Sequence, residues 1–217
     1  MGQPYRPEKT KWNVARRNYI RHGTQVLTGN IHLATGKLIT PTIADTRTEA
    51  DFVEHITRLI QSDPDASFVI LCDQLNTHKS ESLVRLIAKV LGDDQVLGEK
   101  GKWGILKNME TRQAYLSDPQ HRIRFVYTPK HCSWLNPIEV WFSILNRHVL
   151  SRGNFPSVQD LTQKIQRYIA YYNEHLARGW KWSCVLTKDI QALIDKVMRI
   201  EGVLNPPEGV AEVGAYL

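Results

Sequence analysis

The 217-residue sequence contains few cysteines, and none of them forms a recognisable motif. Cys72, Cys132 and Cys184 lie far apart, and no two of them are arranged as C-x-x-C. An odd number of isolated cysteines supports neither a disulfide framework nor a zinc knuckle. We therefore expect three reduced thiols, as is typical of a cytoplasmic protein.

Long hydrophobic runs are also absent. No apolar segment is long enough to span a bilayer, and residues 1–21 are polar and basic, unlike a secretory signal. The composition, 42% hydrophobic and 23% charged, is typical of one globular domain, with or without an appendage. It excludes wholesale disorder, and we expect no membrane partner.

Acidic residues are nearly missing from the start of the chain. Residues 1–22 contain six lysines and arginines but a single acid, Glu8, so they carry +5 of the formal net charge of +6. A positive balance is typical of nucleic-acid binding, but here it belongs to an N-terminal arm. The first aspartate of the chain is Asp45.

Hydrophobic periodicity predicts a mixed α/β chain. A β-hairpin is predicted over 24–34 and 37–44, with a tight turn at 35–36, and Pro41 indicates that its second strand is an edge strand. Further strands are predicted at 67–72, buried on both faces, and at 122–128. The predicted helices are 48–61, 80–91, 136–150, 157–176 and 187–200, and residues 92–121 are predicted to be an insertion with a short helix near 108–117. The tail is predicted to be loose.

Two acidic residues stand where an α/β sheet usually carries chemistry. Asp73 ends the apolar strand 67–72, and Glu139 lies in the first turn of the helix that follows the next predicted strand. Two carboxylates that converge on a strand end suit a divalent cation. The alternative is structural, because a strand-end aspartate can accept hydrogen bonds from loop amides and a glutamate is favourable at a helix N-terminus.

The segments around these residues resemble a known family. The motifs DQLNTHKS (73–80) and YTPKHCSWLNPIEVW (127–141), with YIRHGT (19–24) and TRTE (46–49), are similar to those of the DDE-type transposases of bacterial insertion sequences, in the mariner superfamily. The resemblance covers residues 19–182. The sequence departs from the family in two respects. The separation of Asp73 and Glu139 is 66 residues, above the commonest spacing of the family because of the insertion, and Trp134 stands where many members carry an acidic or polar residue.

The resemblance implies a ribonuclease-H-like fold in which Asp73 is the second catalytic carboxylate and Glu139 the third. Both would hold two Mg²⁺ or Mn²⁺ ions for strand nicking and strand transfer on double-stranded DNA, with a homodimer as the active form. It also implies a bacterial, cytoplasmic protein. We expect three parts: a basic arm (1–22), the catalytic domain (23–182) and a C-terminal helix and tail (183–217).

The first catalytic aspartate of the family, and the strand that carries it, are not recognisable. The 23 residues before the hairpin contain no aspartate and no apolar strand. We expect the first strand to be missing and its neighbours to have an unpaired edge. Either an upstream reading frame would supply it together with a DNA-binding region, or both have been lost by decay of an old element. Substitution by Asp45 or Asp51 is not expected, because Asp45 would lie roughly 10 Å away at about 4.8 Å per strand.

Several basic residues are candidates for DNA contact. His78 and Lys79 follow Asp73, Lys130 and His131 precede the Glu139 helix, and the insertion brings basic residues together with an aromatic one. Each group has a structural alternative as part of a loop. The insertion residues are Lys100, Lys102 and Trp103.

Three functions therefore remain open. The first is the catalytic domain of a transposase, the second an inactive DNA-binding remnant of one, and the third another ribonuclease-H-like nuclease such as a junction resolvase. The absent first aspartate leaves enzymatic activity undecided.

Overall fold

The computed structural model describes residues 22–129, 136–151, 153–179 and 210–216. These residues form seven strands and five α-helices. The strands are β1 (Val26–His32), β2 (Leu38–Ala44), β3 (Ser67–Cys72), β4 (Gly98–Glu99), β5 (Trp103–Gly104), β6 (Ile123–Tyr127) and β7 (Val210–Tyr216). The helices are α1 (Glu49–Ser62), α2 (Glu81–Leu91), α3 (Met109–Leu116), α4 (Pro137–Leu145) and α5 (Val158–Tyr171).

Five of the strands form one mixed sheet in the order β2-β1-β7-β3-β6. Strand β1 is antiparallel to both of its neighbours, β2 and β7, whereas β3 is parallel to both β7 and β6. The mixed sheet with helices around it confirms the predicted α/β class and is consistent with a ribonuclease-H-like domain.

The central strand of this sheet comes from the C-terminal end of the chain. Residues Val210–Tyr216 lie between β1 and β3, with Ile31 opposite Gly214 on one side and Leu71 beside Gly214 on the other. The predictions of a loose tail and of an unpaired edge next to β1 and β3 are therefore wrong for this segment. A strand that pairs on both sides satisfies the backbone groups that a missing first strand would leave exposed.

The hairpin that starts the sheet has a longer turn than predicted. Residues 33–37 connect β1 to β2, and Gly36 adopts a positive φ of 71° and donates its N–H to His32 O at 2.7 Å. As predicted from Pro41, β2 is an edge strand. The Asn173 side chain exchanges hydrogen bonds with the Leu38 backbone N–H (2.8 Å) and C=O (2.7 Å), so this end of the edge is covered.

Helices cover the sheet with two separate hydrophobic cores. Helices α1 and α2 contribute Phe52, Ile56 and Ile87 to a core that includes Phe68 and Phe125 of the sheet. On the hairpin side, α4 and α5 pack on β1 and β2. The buried members of this core are Ile31, Leu38, Ile138, Trp141, Leu145, Ile165, Ile169 and Tyr172. None of the described helices meets the length and apolarity that crossing a membrane requires.

The predicted helix caps hold in most places. Thr48 and Asp51 form a capping box on α1, and Ser80 and Ser157 accept backbone N–H groups at the starts of α2 and α5. At α4, Asn136 occupies the predicted cap position but its side chain makes no capping hydrogen bond. Helices α4 and α5 each continue into a π-helical turn, at Asn146–Leu150 and Tyr172–Leu176. The helix predicted at 187–200 lies outside the described residues.

Candidate active site

Asp73 directly follows β3, at the carboxyl end of the parallel strands. Its Oδ1 accepts the backbone N–H of Leu75 at 2.9 Å and lies 2.9 Å from Nδ1 of His78. The His78 ring is fully buried, whereas the Asp73 side chain is 31% exposed. The loop thus fixes the Asp73 carboxylate through Leu75 and His78, and the side chain remains partly exposed to solvent.

The loop from Asp73 to Ser80 is anchored on the neighbouring strand β6. Gln74 Nε2 donates to the Thr128 carbonyl at 2.6 Å, and Tyr127 Oη donates to the His78 carbonyl at 2.8 Å. Lys79 is buried, donates to Oε1 of Gln74 and lies over the Tyr127 ring, 4.9 Å from its centroid. These contacts fix the position of Asp73 relative to the end of β6.

Glu139 lies in the first turn of α4. Pro137 takes one of the first helical positions, which favours helix initiation there. The fully buried Ile138 and Trp141 hold the helix on the sheet, and Glu139 between them is only partly buried. The helix therefore presents this carboxylate at its N-terminus, as the sequence predicts.

The two carboxylates interact electrostatically. Burial raises the pKa of Glu139, and the negative charge of Asp73 raises it further. For Asp73, burial alone would raise the pKa, but the contacts with His78 and the Leu75 N–H, together with the positive charges of His78 and Arg47, lower it below its usual value. The surroundings of Asp73 thus favour its ionised form, and the negative charge of Asp73 disfavours the ionised form of Glu139.

A third acidic ligand is not found in the part of the chain that the structure describes. No group of three or more His, Cys, Asp or Glu side chains there could hold a metal ion. Asp45 accepts a hydrogen bond from Gln25 at 2.5 Å, and Asp51 is engaged in the α1 capping box. Neither is among the charges that shift the pKa of Asp73 or Glu139.

Strand β7 does not place an acid at the level of Asp73. Its one acidic residue, Glu212, is in register with Val69, four residues before Asp73. At roughly 3.3 Å per residue this is about 13 Å along the strand. The central strand of this chain therefore does not supply the first carboxylate that the resemblance implies.

Asp73 and Glu139 have the chemistry of divalent-cation ligands, because both are carboxylates and their charges interact. Mg²⁺ is usually bound by one or two carboxylates, with waters and phosphate oxygens as its other ligands. Burial is the larger cause of the raised pKa of Glu139, and the smaller part, repulsion by the Asp73 charge, is what a bound cation would relieve. The two-ion arrangement that the resemblance implies needs a further carboxylate, and the described residues do not provide one.

The residues predicted to contact DNA differ in their exposure to solvent. His78 and Lys79 are buried beneath the Asp73 loop, which favours a role in holding the loop. In the insertion, Lys100 and Lys102 are exposed, and Lys102 forms a surface ion pair with Glu99 at 2.6 Å. Lys130 and His131 lie outside the described residues.

Sequence reasoning missed two residues, one near Asp73 and one near His78 of the Asp73 loop. Arg47, in the loop after β2, is near enough for its charge to lower the pKa of Asp73. His55 on α1 is fully buried, and burial, aided by the charges of Arg58 and His78, lowers its pKa to about 3. The TRTE motif contains Arg47, so that motif was the available signal, whereas His55 has none beyond its place on the apolar face of α1.

A comparison with protein-family models identifies one match, described as DDE superfamily endonuclease, over residues 4–162. No curated protein and no solved structure matches the chain. The family match includes β1, β2, β3 and β6 with the helices between them, and it contains both Asp73 and Glu139. Since the match covers well over half of the 217 residues, the chain belongs to the DDE superfamily endonuclease family.

Proposed function

We propose that this chain is the catalytic domain of a DNA transposase of a bacterial insertion sequence, and that it cleaves phosphodiester bonds and transfers strands at the element ends. The family suggests nuclease or transposase-type activity on DNA. The observation that carries the proposal is the pair Asp73 and Glu139, which come from different elements and interact electrostatically at the carboxyl end of β3. We assign both as metal ligands and catalytic residues.

Nucleases of this superfamily are generally dependent on divalent metals. A bound Mg²⁺ or Mn²⁺ would activate a water and stabilise the leaving oxygen in phosphodiester cleavage. The protein contributes the positions of its two carboxylates. The buried His78 and the Leu75 N–H keep Asp73 ionised, and the first turn of α4 holds Glu139 beside it.

We propose that the DNA backbone is contacted by Lys100, Lys102, Lys130 and His131. His78 and Lys79 are buried, and we propose that they hold the Asp73 loop in place without contacting DNA. Lysines suit phosphate binding because they displace counterions from the duplex. The homodimer and the domain limits stay expectations from the resemblance. An upstream polypeptide that supplied a first strand would have to displace β7 from the centre of the sheet.

The proposal is tested by cleavage of labelled linear duplex DNA in the presence of Mg²⁺ or Mn²⁺. We expect nicking by the wild-type chain and a loss of about 10²-fold or more in Asp73→Asn and in Glu139→Gln, as for other groups that stabilise charge in a transition state. Asp65→Asn is the matched control, because Asp65 is exposed and precedes the same strand that Asp73 follows.

A second candidate is an inactive DNA-binding remnant of a transposase. It is favoured by the lack of a three-ligand group among the described residues. Under this function the wild type binds duplex DNA but does not cleave it with either ion. Metal-dependent cleavage that disappears in Asp73→Asn would exclude it. Preference for branched over linear DNA in the same assay would indicate a junction resolvase instead.

A further inference from the structure

Arg47 lies at the same edge of the sheet as Asp73. It belongs to the short loop between β2 and α1. Strand β1 is antiparallel to both β2 and β7, and β7 is parallel to β3, so β2 and β3 point in the same direction. The residues after both strands, including Arg47 and Asp73, therefore emerge at the carboxyl ends of the parallel strands, where ligands of open α/β sheets bind.

Side-chain contacts fix the Arg47 loop against the Asp73 loop. Glu49 accepts hydrogen bonds from the backbone N–H (3.0 Å) and Oγ (2.5 Å) of Ser82, at the start of α2. The ring of Phe52 lies 4.3 Å from that of His78, which itself contacts Asp73. The backbone around Arg47 thus has little freedom to move away from the candidate active site.

The Arg47 side chain is exposed and forms no hydrogen bond or ion pair with the other described residues. The loop around it is held by its neighbours Thr46 and Thr48, whose hydroxyls both donate to Asp51. A guanidinium that the fold does not use, next to a carboxylate site, can take a phosphate through two parallel hydrogen bonds. Arg47 and Asp73 also lie close enough for their charges to interact.

We propose that Arg47 binds a DNA backbone phosphate adjacent to Asp73 and so positions the strand at the candidate active site. The inference rests on the proposed function in one respect, namely that the ligand is DNA. It is independent of the metal, because the contact is between a guanidinium and a phosphate. The alternative is that Arg47 acts only on the charge of Asp73, in which case DNA affinity does not depend on it.

The test is the salt dependence of DNA binding without metal. Affinity for a labelled linear duplex is measured by fluorescence anisotropy in EDTA over a series of KCl concentrations. Loss of one phosphate contact reduces the slope of log K against log[salt] by about 0.9. We expect this reduction in Arg47→Ala, and a slope close to wild type in Arg47→Lys, which keeps the charge but has a lower affinity.

Arg58→Ala is the matched control. Arg58 is an exposed arginine of α1, the helix that follows Arg47. It lies nine residues after Glu49, which at about 1.5 Å per residue is roughly 13 Å along the helix axis. We expect its slope to equal that of wild type. Thermal melting of each variant checks folding, since Arg47 forms no hydrogen bond or ion pair with α1 among the described residues.

The outcomes distinguish this inference from the proposed function. If the wild type cleaves DNA but Arg47→Ala keeps the wild-type slope and affinity, the phosphate site is wrong and the nuclease proposal stands. If Arg47→Ala shows the reduced salt slope but the wild type never cleaves DNA, the phosphate site stands and the nuclease proposal fails. If the wild type does not bind the duplex at any salt concentration, both are overturned.

Discussion

The carboxylate of Asp73, at the end of β3, raises the pKa of Glu139, in the first turn of α4. The two residues are 66 positions apart in the sequence, and the intervening chain contains α2, the insertion and β6. Their electrostatic contact is possible because β3 and β6 are parallel neighbours, so that the chain returns to the same end of the sheet before α4 begins.

Replacing Asp73 by asparagine is expected to lower the pKa of Glu139. The substitution removes the negative charge but leaves the burial of Glu139, which is the larger cause of the shift. The pKa should therefore move toward the usual glutamate value without reaching it. Carbon-detected NMR titration of the glutamate carboxyls measures the change. An unaltered pKa in Asp73→Asn would mean that the two carboxylates do not interact.

Mg²⁺ is expected to stabilise the folded protein through the same two residues. A ligand present at 100 times its dissociation constant stabilises by about 2.7 kcal/mol. We expect the melting temperature to rise with Mg²⁺ at neutral pH and the rise to be much smaller in Glu139→Gln. Lowering the pH through the raised pKa of Glu139 should also weaken the effect, because a proton then competes with the cation.

Differential scanning fluorimetry with and without Mg²⁺, at several pH values, measures this. Glu54→Gln is a suitable control, since Glu54 is an exposed residue paired with Arg58 on α1. An equal rise in the wild type and in Glu139→Gln would contradict the assignment of Glu139 as a ligand.

His55 is expected to make the folded protein sensitive to acid. Its folded-state pKa of about 3 is below the unfolded value of 6.5, so the unfolded chain binds a proton first as the pH falls. Stability is full above about pH 6.5 and is lost progressively toward pH 3. At about 1.36 kcal/mol per pKa unit, the loss approaches roughly 5 kcal/mol at the acid end.

Urea denaturation between pH 7 and pH 4 measures this loss in wild type and in His55→Gln. The glutamine variant should be less stable at pH 7 but show a shallower fall with acid. His175→Gln, at an exposed position, should keep the wild-type pH dependence. A wild-type profile in His55→Gln would show that another group controls acid unfolding.

The register of the C-terminal strand can be tested by a disulfide. His32 of β1 lies opposite Val213 of β7, whereas Val210 lies three residues further along the strand. In a chain with Cys132→Ser and Cys184→Ser, the pair His32→Cys and Val213→Cys should cross-link, because directly opposite residues are within the range of a disulfide. The pair His32→Cys and Val210→Cys is separated by about 10 Å along the strand, which is too far for a disulfide, and should not cross-link.

Non-reducing gel electrophoresis after mild oxidation separates the outcomes. A cross-linked monomer supports β7 as part of its own sheet. A cross-linked dimer would mean that the strand comes from a second copy. Equal cross-linking of both cysteine pairs would mean that the segment has no defined register and that the tail is loose after all.

Local patterns in the sequence were sufficient for most elements of the domain. Thr48 and Ser80 mark the starts of α1 and α2, and the apolar run before Asp73 coincides with β3. Such signals are readable because caps and periodicity depend on residues within a few positions of each other. The same reasoning failed at Asn136, whose side chain makes no capping bond although its residue type and position favour one.

The sequence by itself determined the α/β class, the family and the two candidate carboxylates, because each of these depends on short segments with a strong local signal. The tertiary structure alone decided that Val210–Tyr216 forms the central strand and that Arg47 and His55 lie close to the Asp73 loop. These relationships depend on contacts between residues far apart in the chain. A strand's pairing partners, a charge's neighbours and a histidine's burial are set by the whole packed fold and not by the residues beside them.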